Sequence, residues 1–312
     1  MTVSNANERV GGITLSTESN NTTLPRRVLG RRLRELREER NLSRARAAQA
    51  CEMGSQTLWR LESGRGNEIK RMVINALCDL YGASDDDRRL LLWLAQESKK
   101  EGWWQSYTGA MVPEFEMFVG LEQSASRVIS WQSTLLPGLL QTPSYRHAVW
   151  DAQGRPVEIG SDIDLVTKRQ NRLHDSDRFA LEVLLSESAL RYCIGGEQNM
   201  CDQLNRLVEI GNLPNVSIRA VEFRAANHLG LVTKDFVYLE FPAHPNPALN
   251  ESPIVYVEGF SGNLYLDKPS EIAQYQAACS GIQRVALSEH DTRSLIRAIA
   301  KEYEGEHRPA RG

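Results

Sequence analysis

The stretch that decides the N-terminal fold spans residues 42–66 and reads LSRARAAQACEMGSQTLWRLESGRG. Ser43 is a preferred helix-capping residue and precedes RARAAQAC, which predicts a short helix. A break at MGS follows, and Ser55 is expected to cap a second short helix over QTLWRLES. The pattern therefore predicts two short helices separated by a tight turn.

Helical patterns flank this pair on both sides. Upstream, the stretch LPRRVLGRRLRELREERN places apolar residues at helical spacing among Arg and Glu. Downstream, a fourth helix is predicted from about Glu68 to Tyr81, with Gly82 as the residue that ends it. Ser84 followed by three Asp residues predicts the start of a fifth helix. The N-terminal part is therefore predicted to be a mainly α domain of five helices.

The charge of the chain is distributed unevenly. Between Arg26 and Arg71 there are 13 Lys or Arg, 6 Glu and no Asp, which gives a net charge of +7. The whole chain carries −3, so the remainder carries −10. A basic segment on an acidic chain is typical of nucleic-acid binding, because its cations attract phosphates. A solvated helix face would leave the same pattern, and the charge alone does not separate the two.

Residues 29–81 resemble the repressor-type helix-turn-helix of the lambda and P22 class, often called the XRE family. Ala48 is the small residue that lets the two short helices approach closely, and Leu58 and Leu61 are spaced to face the core. The resemblance implies a DNA-binding domain. In such a domain the first short helix crosses the DNA backbone and the second enters the major groove.

The same resemblance assigns roles to single residues. It implies a buried structural ion pair between Arg37 and Glu62, which is costly to break because one unpaired charge would remain. Gln56 suits adenine, because its amide both donates and accepts along that base edge, and Arg60 suits guanine or phosphate. Arg44 and Arg65 are expected at phosphates. The DNA-binding residues expected in full are Arg44, Ser55, Gln56, Thr57, Trp59, Arg60 and Arg65.

Two residues depart from the family pattern. Glu52 stands in the turn where the family often has Gly, and a non-Gly residue at positive φ costs free energy. Trp59 is bulky where many relatives have a small polar residue. It is expected either to stack on a sugar or to pack on the protein.

From about residue 103 onward, strand-like and helical stretches are mixed. Strands are predicted over RVISWQS, RFALEVLLS, NVSIRAVEF, DFVYLEF, PIVYVEGF and NLYLD. Their order is not a regular βαβ repeat, so an α+β (or α/β) domain is predicted and a Rossmann-like sheet is not. The chain then divides into a disordered arm over 1–24, the helix-turn-helix domain over 25–100, a ligand- or partner-binding domain over 101–288, and a C-terminal helix and tail over 289–312.

The second domain also resembles a particular group of regulators. The phrases FVGLEQSASRVISWQSTLLPGLLQTPSYRHAV, KRQNRL, SESALRYCIGG and IVYVEGFSGNLYLD are similar to WhiJ-like regulators of actinobacteria. That resemblance implies an antitoxin-like transcriptional regulator. It also implies that a small BldB-like protein, encoded by a neighbouring gene, is the binding partner.

Read from its residues, the second domain offers candidate binding residues and no catalytic constellation. A strand and the LLPGLL loop after it supply three candidates to line a pocket or partner groove, Trp131, Leu135 and Leu136. The alternative is that these residues pack in the core. One helix supplies a predicted basic face that would hold an acidic partner, formed by Lys168, Arg169 and Arg172. The alternative is a face that is only solvated.

Other classes of function find little support in the sequence. The histidines show no HExxH or HxH spacing, and there is no Walker A loop, GxSxG or GxGxxG motif. We therefore expect no enzymatic activity, no metal site and no bound cofactor. The 5 cysteines form no CxxC and are expected to be reduced thiols of a cytoplasmic protein. No apolar run is long enough to predict a membrane span.

These features together predict a two-domain regulator. The first domain would bind operator DNA, as a homodimer on a pseudo-palindrome. The second would bind a small partner protein or ligand that modulates DNA binding. The alternative is a protein-interaction module whose helix-turn-helix is a scaffold without selective DNA binding.

Overall fold

The computed structural model describes residues 24–65, 69–99, 113–154, 159–244, 247, 250–259 and 262–306. The predicted arm, apart from Leu24, lies outside these residues. So do Glu68, the predicted start of the fourth helix, the predicted domain boundary near residue 100, and most of the C-terminal tail.

The N-terminal domain is helical, as predicted, and its ends follow local chemistry. The Ser43 hydroxyl accepts from the Arg46 amide, and Ser84 accepts from Asp87, so both predicted caps are present. Gly82 ends the fourth helix at φ +60. One apolar core joins the helices α1 (Leu24–Glu39), α2 (Arg44–Ala50), α3 (Ser55–Glu62), α4 (Arg71–Tyr81) and α5 (Asp85–Glu97).

The C-terminal domain contains all six predicted strands. These are β1 (Arg127–Gln132), β2 (Ala180–Ser186), β3 (Val216–Val221), β4 (Phe236–Glu240), β5 (Ile254–Val257) and β6 (Leu264–Leu266). The helices are α6 (Pro113–Ser124), α7 (Pro143–Ala152), α8 (Ile159–Gln170), α9 (Glu187–Arg191), α10 (Glu197–Ile210), α11 (Gly230–Thr233), α12 (Pro269–Val285) and α13 (Glu289–Glu306), with 3-10 turns at Gly138–Leu140 and Asn171–His174. The short helices α9 and α11 were not predicted.

The six strands form one mixed sheet in the order β3-β2-β1-β4-β5-β6. The strands β1, β2 and β3 run parallel, whereas β4, β5 and β6 continue antiparallel on the other side of β1. The chain therefore leaves β3 at one edge and crosses past β2 and β1 to begin β4. This arrangement is the α+β architecture that the sequence predicted.

Each face of the sheet is covered by helices. Strand side chains alternate, so that Val128 and Val183 face α10 and α13, whereas Ile129 and Trp131 face α12. The helix α13 packs against α10 and β3 and so belongs to this core. In the part of the chain that the structure describes, no helix combines the length and apolar character that crossing a bilayer needs.

The five cysteines are free thiols. Cys193 is exposed and Cys51 half-buried, whereas the other three lie in the cores. Burial raises the pKa of Cys279 to about 12, so its thiol stays protonated and packs as a small apolar side chain.

Two helical glycines give a matched test of the packing between α1 and α3. A Cβ at Gly30 would lie within 3 Å of the carbonyl oxygen of Glu62, whereas a Cβ at Gly281 in α12 would meet nothing within 4 Å. Because Ala favours helices, Gly281→Ala should raise the free energy of unfolding by roughly 0.5–1 kcal/mol. Gly30→Ala should lower it by about 1–3 kcal/mol, because backbone cannot move aside.

Urea unfolding followed by circular dichroism measures both changes. The same substitution is made in the interior of a helix in each case, so helix propensity is matched and the close approach is the difference. A Gly30→Ala protein as stable as Gly281→Ala would show that α1 and α3 are not in such close contact.

Candidate nucleic-acid interface

The turn between α2 and α3 has the backbone course of a helix-turn-helix. Glu52 adopts the left-handed conformation at φ +52, at the position where the sequence departs from Gly. The Met53 amide donates to the carbonyl of Ala48 at 2.9 Å and closes the end of α2. One prediction is wrong: Ser55 is the first residue of α3, and Gly54 precedes it in an extended conformation without a side-chain cap.

The helix α3 has one buried face and one exposed face. Leu58 and Glu62 are buried against the domain core. Because that face is fixed, the opposite face has a defined orientation toward solvent. The exposed residues of α3 are those predicted to begin the recognition surface, Ser55, Gln56, Thr57 and Arg60.

The predicted ion pair between Arg37 and Glu62 is present and buried. Arg37 donates through Nε to Oε1 of Glu62 at 2.6 Å and through Nη2 to Oε2 at 3.0 Å. Its Nη1 donates to the carbonyl of Leu42 at 2.8 Å. The hydrogen bonds to Glu62 raise the pKa of the Arg37 guanidinium, which therefore stays charged. The pair ties α1 to α3 and to the loop that precedes α2.

Three of the residues predicted to contact DNA also interact with other side chains of the protein. Arg44 Nε lies 3.3 Å from Oε2 of Glu62, and its side chain is 38% exposed. The guanidinium of Arg65 lies 5.5 Å from the centre of the Trp59 indole, which is half-buried. Part of the Trp59 ring is therefore covered by the protein and part of it faces solvent, so both expectations for this residue stay open.

The basic segment directs many of its charges inward. Arg32 binds Asp87 at 2.9 Å, and Arg40 donates to the carbonyl of Tyr81 at 2.6 Å. The net charge of the segment therefore overstates the charge that faces a ligand. The cations that are exposed or half-exposed on α2, on α3 and just after α3 are Arg44, Arg46, Arg60 and Arg65. Sequence reasoning missed Arg46, whose only signal was its position beside the buried alanines of α2.

The candidate groove around LLPGLL is corrected to core. Trp131 is 2% exposed, and its Nε1 donates to the carbonyl of Gly230 at 3.3 Å. Leu136 is 2% exposed, and Leu135 packs half-buried against the same apolar core. Leu135 and Leu136 pack with the 3-10 turn and α7, whereas Trp131 packs on the opposite face of the sheet with α12, so core packing, the alternative reading, accounts for all three.

The predicted basic face of α8 is also corrected. Arg169 is buried and donates through Nε and Nη2 to the two carboxylate oxygens of Glu122, each at 2.8 Å. Arg172 donates to the carbonyl of Glu122 at 2.7 Å and lies 4.4 Å from the ring centre of Phe179. Only Lys168 faces solvent, beside Asp164. Arg169 thus holds α8 against α6, and Arg172 holds the 3-10 turn after α8 against the end of α6.

The fold and the exposed face of α3 define a protein with a helix-turn-helix DNA-binding domain. Residues 28–91 match a family model described as a helix-turn-helix domain. Residues 115–298 match a model described as a domain of unknown function (DUF5753). Because this match spans more than half of the 312 residues, the chain belongs to the DUF5753 family. No curated protein and no solved structure matches the chain.

The buried pair between Glu122 and Arg169 gives a prediction for stability. Glu122→Gln leaves a buried guanidinium without its counter-charge and should lower the free energy of unfolding by about 3–5 kcal/mol. The control is Glu209→Gln, because Glu209 pairs with Arg206 at the surface and such pairs contribute less than about 1 kcal/mol. Urea unfolding of both variants measures the difference. Equal midpoints would mean that the Arg169 charge is not sequestered.

Proposed function

We propose that the protein is a sequence-specific transcriptional regulator of the XRE class that reads operator DNA with α3. The observation that carries this proposal is the exposure of Gln56, Thr57 and Arg60 on a helix whose opposite face is fixed by the Arg37–Glu62 pair. A rigid helix with an amide, a hydroxyl and a guanidinium on one face has the donors and acceptors that distinguish base pairs in the major groove.

The remaining contacts of this interface would go to phosphates. Arg44, Arg46 and Arg65 flank the exposed face of α3, and cations in such positions neutralise phosphates and release counterions. These contacts supply affinity without sequence preference. Selectivity therefore depends on Gln56, Thr57 and Arg60.

We further propose that the C-terminal domain binds a small partner protein or ligand and thereby modulates DNA binding. Support comes from apolar side chains exposed on the segments that follow β2 and β3, which is where many α/β folds bind ligands. The exposed residues are Tyr192, Phe223, Leu229, Leu231 and Val232. These residues are a different candidate binding surface from the groove around LLPGLL that the sequence suggested.

The finer identity of the regulator rests on the resemblance of its C-terminal phrases. The proposal is a WhiJ-like, antitoxin-like regulator that acts in the cytoplasm as a homodimer and binds a small BldB-like protein. Two-fold pairing would match the symmetry of a pseudo-palindromic operator. Catalysis is not part of the proposal. In the described ranges, His, Cys, Asp and Glu form no group of three suited to a metal ion.

Selection from a pool of random DNA fragments tests the assignment of the recognition helix. The wild-type protein should enrich one sequence. Gln56→Ala should relax the preference at one base pair and weaken binding to the enriched sequence by roughly 1–3 kcal/mol, because the amide loses both contacts to the base edge. Arg60→Ala should weaken binding as well and reduce its dependence on salt if Arg60 contacts phosphate.

The matched control is Gln96→Ala, which removes the same amide from an exposed position on α5. Its binding should equal that of the wild type. Enrichment by the wild type that survives Gln56→Ala unchanged would remove Gln56 from the interface. A wild-type protein that enriches nothing, with or without the small partner protein added, would favour the scaffold alternative.

A further inference from the structure

The first helix of the DNA-binding domain contacts the C-terminal domain through charged side chains, of which Arg27 and Glu251 are buried. Arg31 binds Oε2 of Glu251 through Nη1 at 2.8 Å, and Arg27 Nε lies 3.4 Å from Oε1 of the same carboxylate. Arg27 also reaches Asp267 at 3.0 Å, and Arg31 donates to the carbonyl of Asn250. The side chain of Glu251 is 5% exposed. One carboxylate therefore holds two guanidinium groups of α1.

The same helix lies directly against the end of the recognition helix. Gly64, two residues after α3, adopts φ +68, and a Cβ there would lie 2.8 Å from the Cα of Arg27. Gly30, one turn further along α1, approaches the carbonyl of Glu62 as closely. The backbone of α1 at Arg27 and Gly30 therefore packs closely against the end of α3 and the residues just after it, so we expect α1 and α3 to move together. Arg27 touches the segment just after the recognition helix on one side and the C-terminal domain on the other.

Two opposing effects act on the carboxyl group of Glu251. Burial raises the pKa of the Glu251 carboxyl, and the charges of Arg27 and Arg31 oppose that effect only in part. Buried ion pairs contribute little net stability, because desolvation offsets their attraction, yet removing one partner is costly. Relative motion is the default expectation for two domains of one chain unless the interface between them is large and apolar.

The two carboxylates that the C-terminal domain contributes flank strands in the antiparallel half of the sheet. Glu251 lies three residues before β5, and Asp267 directly follows β6 and precedes α12. A ligand or partner that shifts the loop before β5 or the turn after β6 therefore acts on the two carboxylates directly. The helix α1 alone separates these two carboxylates from α3.

We propose that Glu251 is a positioning residue that latches the DNA-binding domain to the C-terminal domain and so sets the orientation of α3. The consequence for DNA rests on the function proposed above, whereas the latch itself does not. With the latch closed, α3 is presented in one orientation. With the latch open, the domain reorients, and binding to DNA must restrict that freedom again.

The latch is tested without DNA by a distance measurement between spin labels. Labels are placed on Arg89→Cys in α5 and Ser280→Cys in α12, both exposed positions, in a chain in which Cys51 and Cys193 are replaced by Ser. The starting chain should give one narrow distance distribution. Glu251→Gln should broaden it or add a second distance, because the uncharged amide no longer holds two guanidinium groups.

The matched control is Glu271→Gln, which makes the same change in an exposed pair with Lys268 near the same turn. It should leave the distribution narrow. If Glu251→Gln fails to fold by circular dichroism, Arg31→Gln replaces it, because Arg31 is partly exposed and its loss leaves Arg27 on the carboxylate. A narrow, unshifted distribution in a folded latch variant overturns the latch.

Operator binding then tests the link to DNA. The folded latch variant should bind the sequence enriched by the wild type about tenfold more weakly, with unchanged base preferences, because binding must now restrict an added orientational freedom. Equal affinity overturns the link, and altered base preferences would place Glu251 among structural residues of the interface itself. If the wild type enriches no DNA, the proposed function fails, while the distance measurement still decides the latch.

Discussion

The buried carboxylate of Glu62 is the interaction on which the N-terminal domain depends. It stands on α3, accepts two hydrogen bonds from Arg37 on α1, and lies within 3.3 Å of Arg44 at the start of α2. A carboxylate removed from water needs such partners, since an unpaired one would be very unfavourable. Three helices are thereby fixed around one polar junction, and the side of α3 opposite to it is left as a rigid, solvent-facing surface.

The same physical device recurs where the chain must join elements that are distant in sequence. Glu122 on α6 accepts both donors of Arg169 on α8, and Glu251 receives α1 from more than two hundred residues away. At Glu62 and Glu122 the planar group of an arginine offers two parallel donors to one carboxylate. At Glu251 two arginines each give one donor to the carboxylate and a second donor to a neighbouring group. A lysine could neutralise the charge but could not fix the angle between two elements. The fold is therefore organised by a few buried carboxylates as well as by its apolar cores.

Local signals predicted the elements well. Periodicity located the six strands and the long helices, and the caps at Ser43 and Ser84 follow from the chemistry of single residues. The Arg37–Glu62 pair came from a family resemblance. Helical spacing could not predict that Arg169 points into the protein toward Glu122. Spacing shows which residues share a helix face but does not show what covers that face. The strand order was hidden for a similar reason: no local feature specifies that the chain passes from β3 across β2 and β1 to β4.

The inward use of arginine changes what the basic segment means for DNA. Arg27, Arg31, Arg32, Arg37 and Arg40 all bind groups of the protein, so the segment presents fewer cations than its composition suggests. Affinity from counterion release grows with the number of phosphates neutralised, and a surface with few cations gains little from it. Under the proposed function, such a surface would depend on correctly oriented base contacts and on a low entropic cost of orienting the domain. The arginines that bind within the protein would then contribute to DNA binding by fixing the orientation of α3, and not by neutralising phosphates.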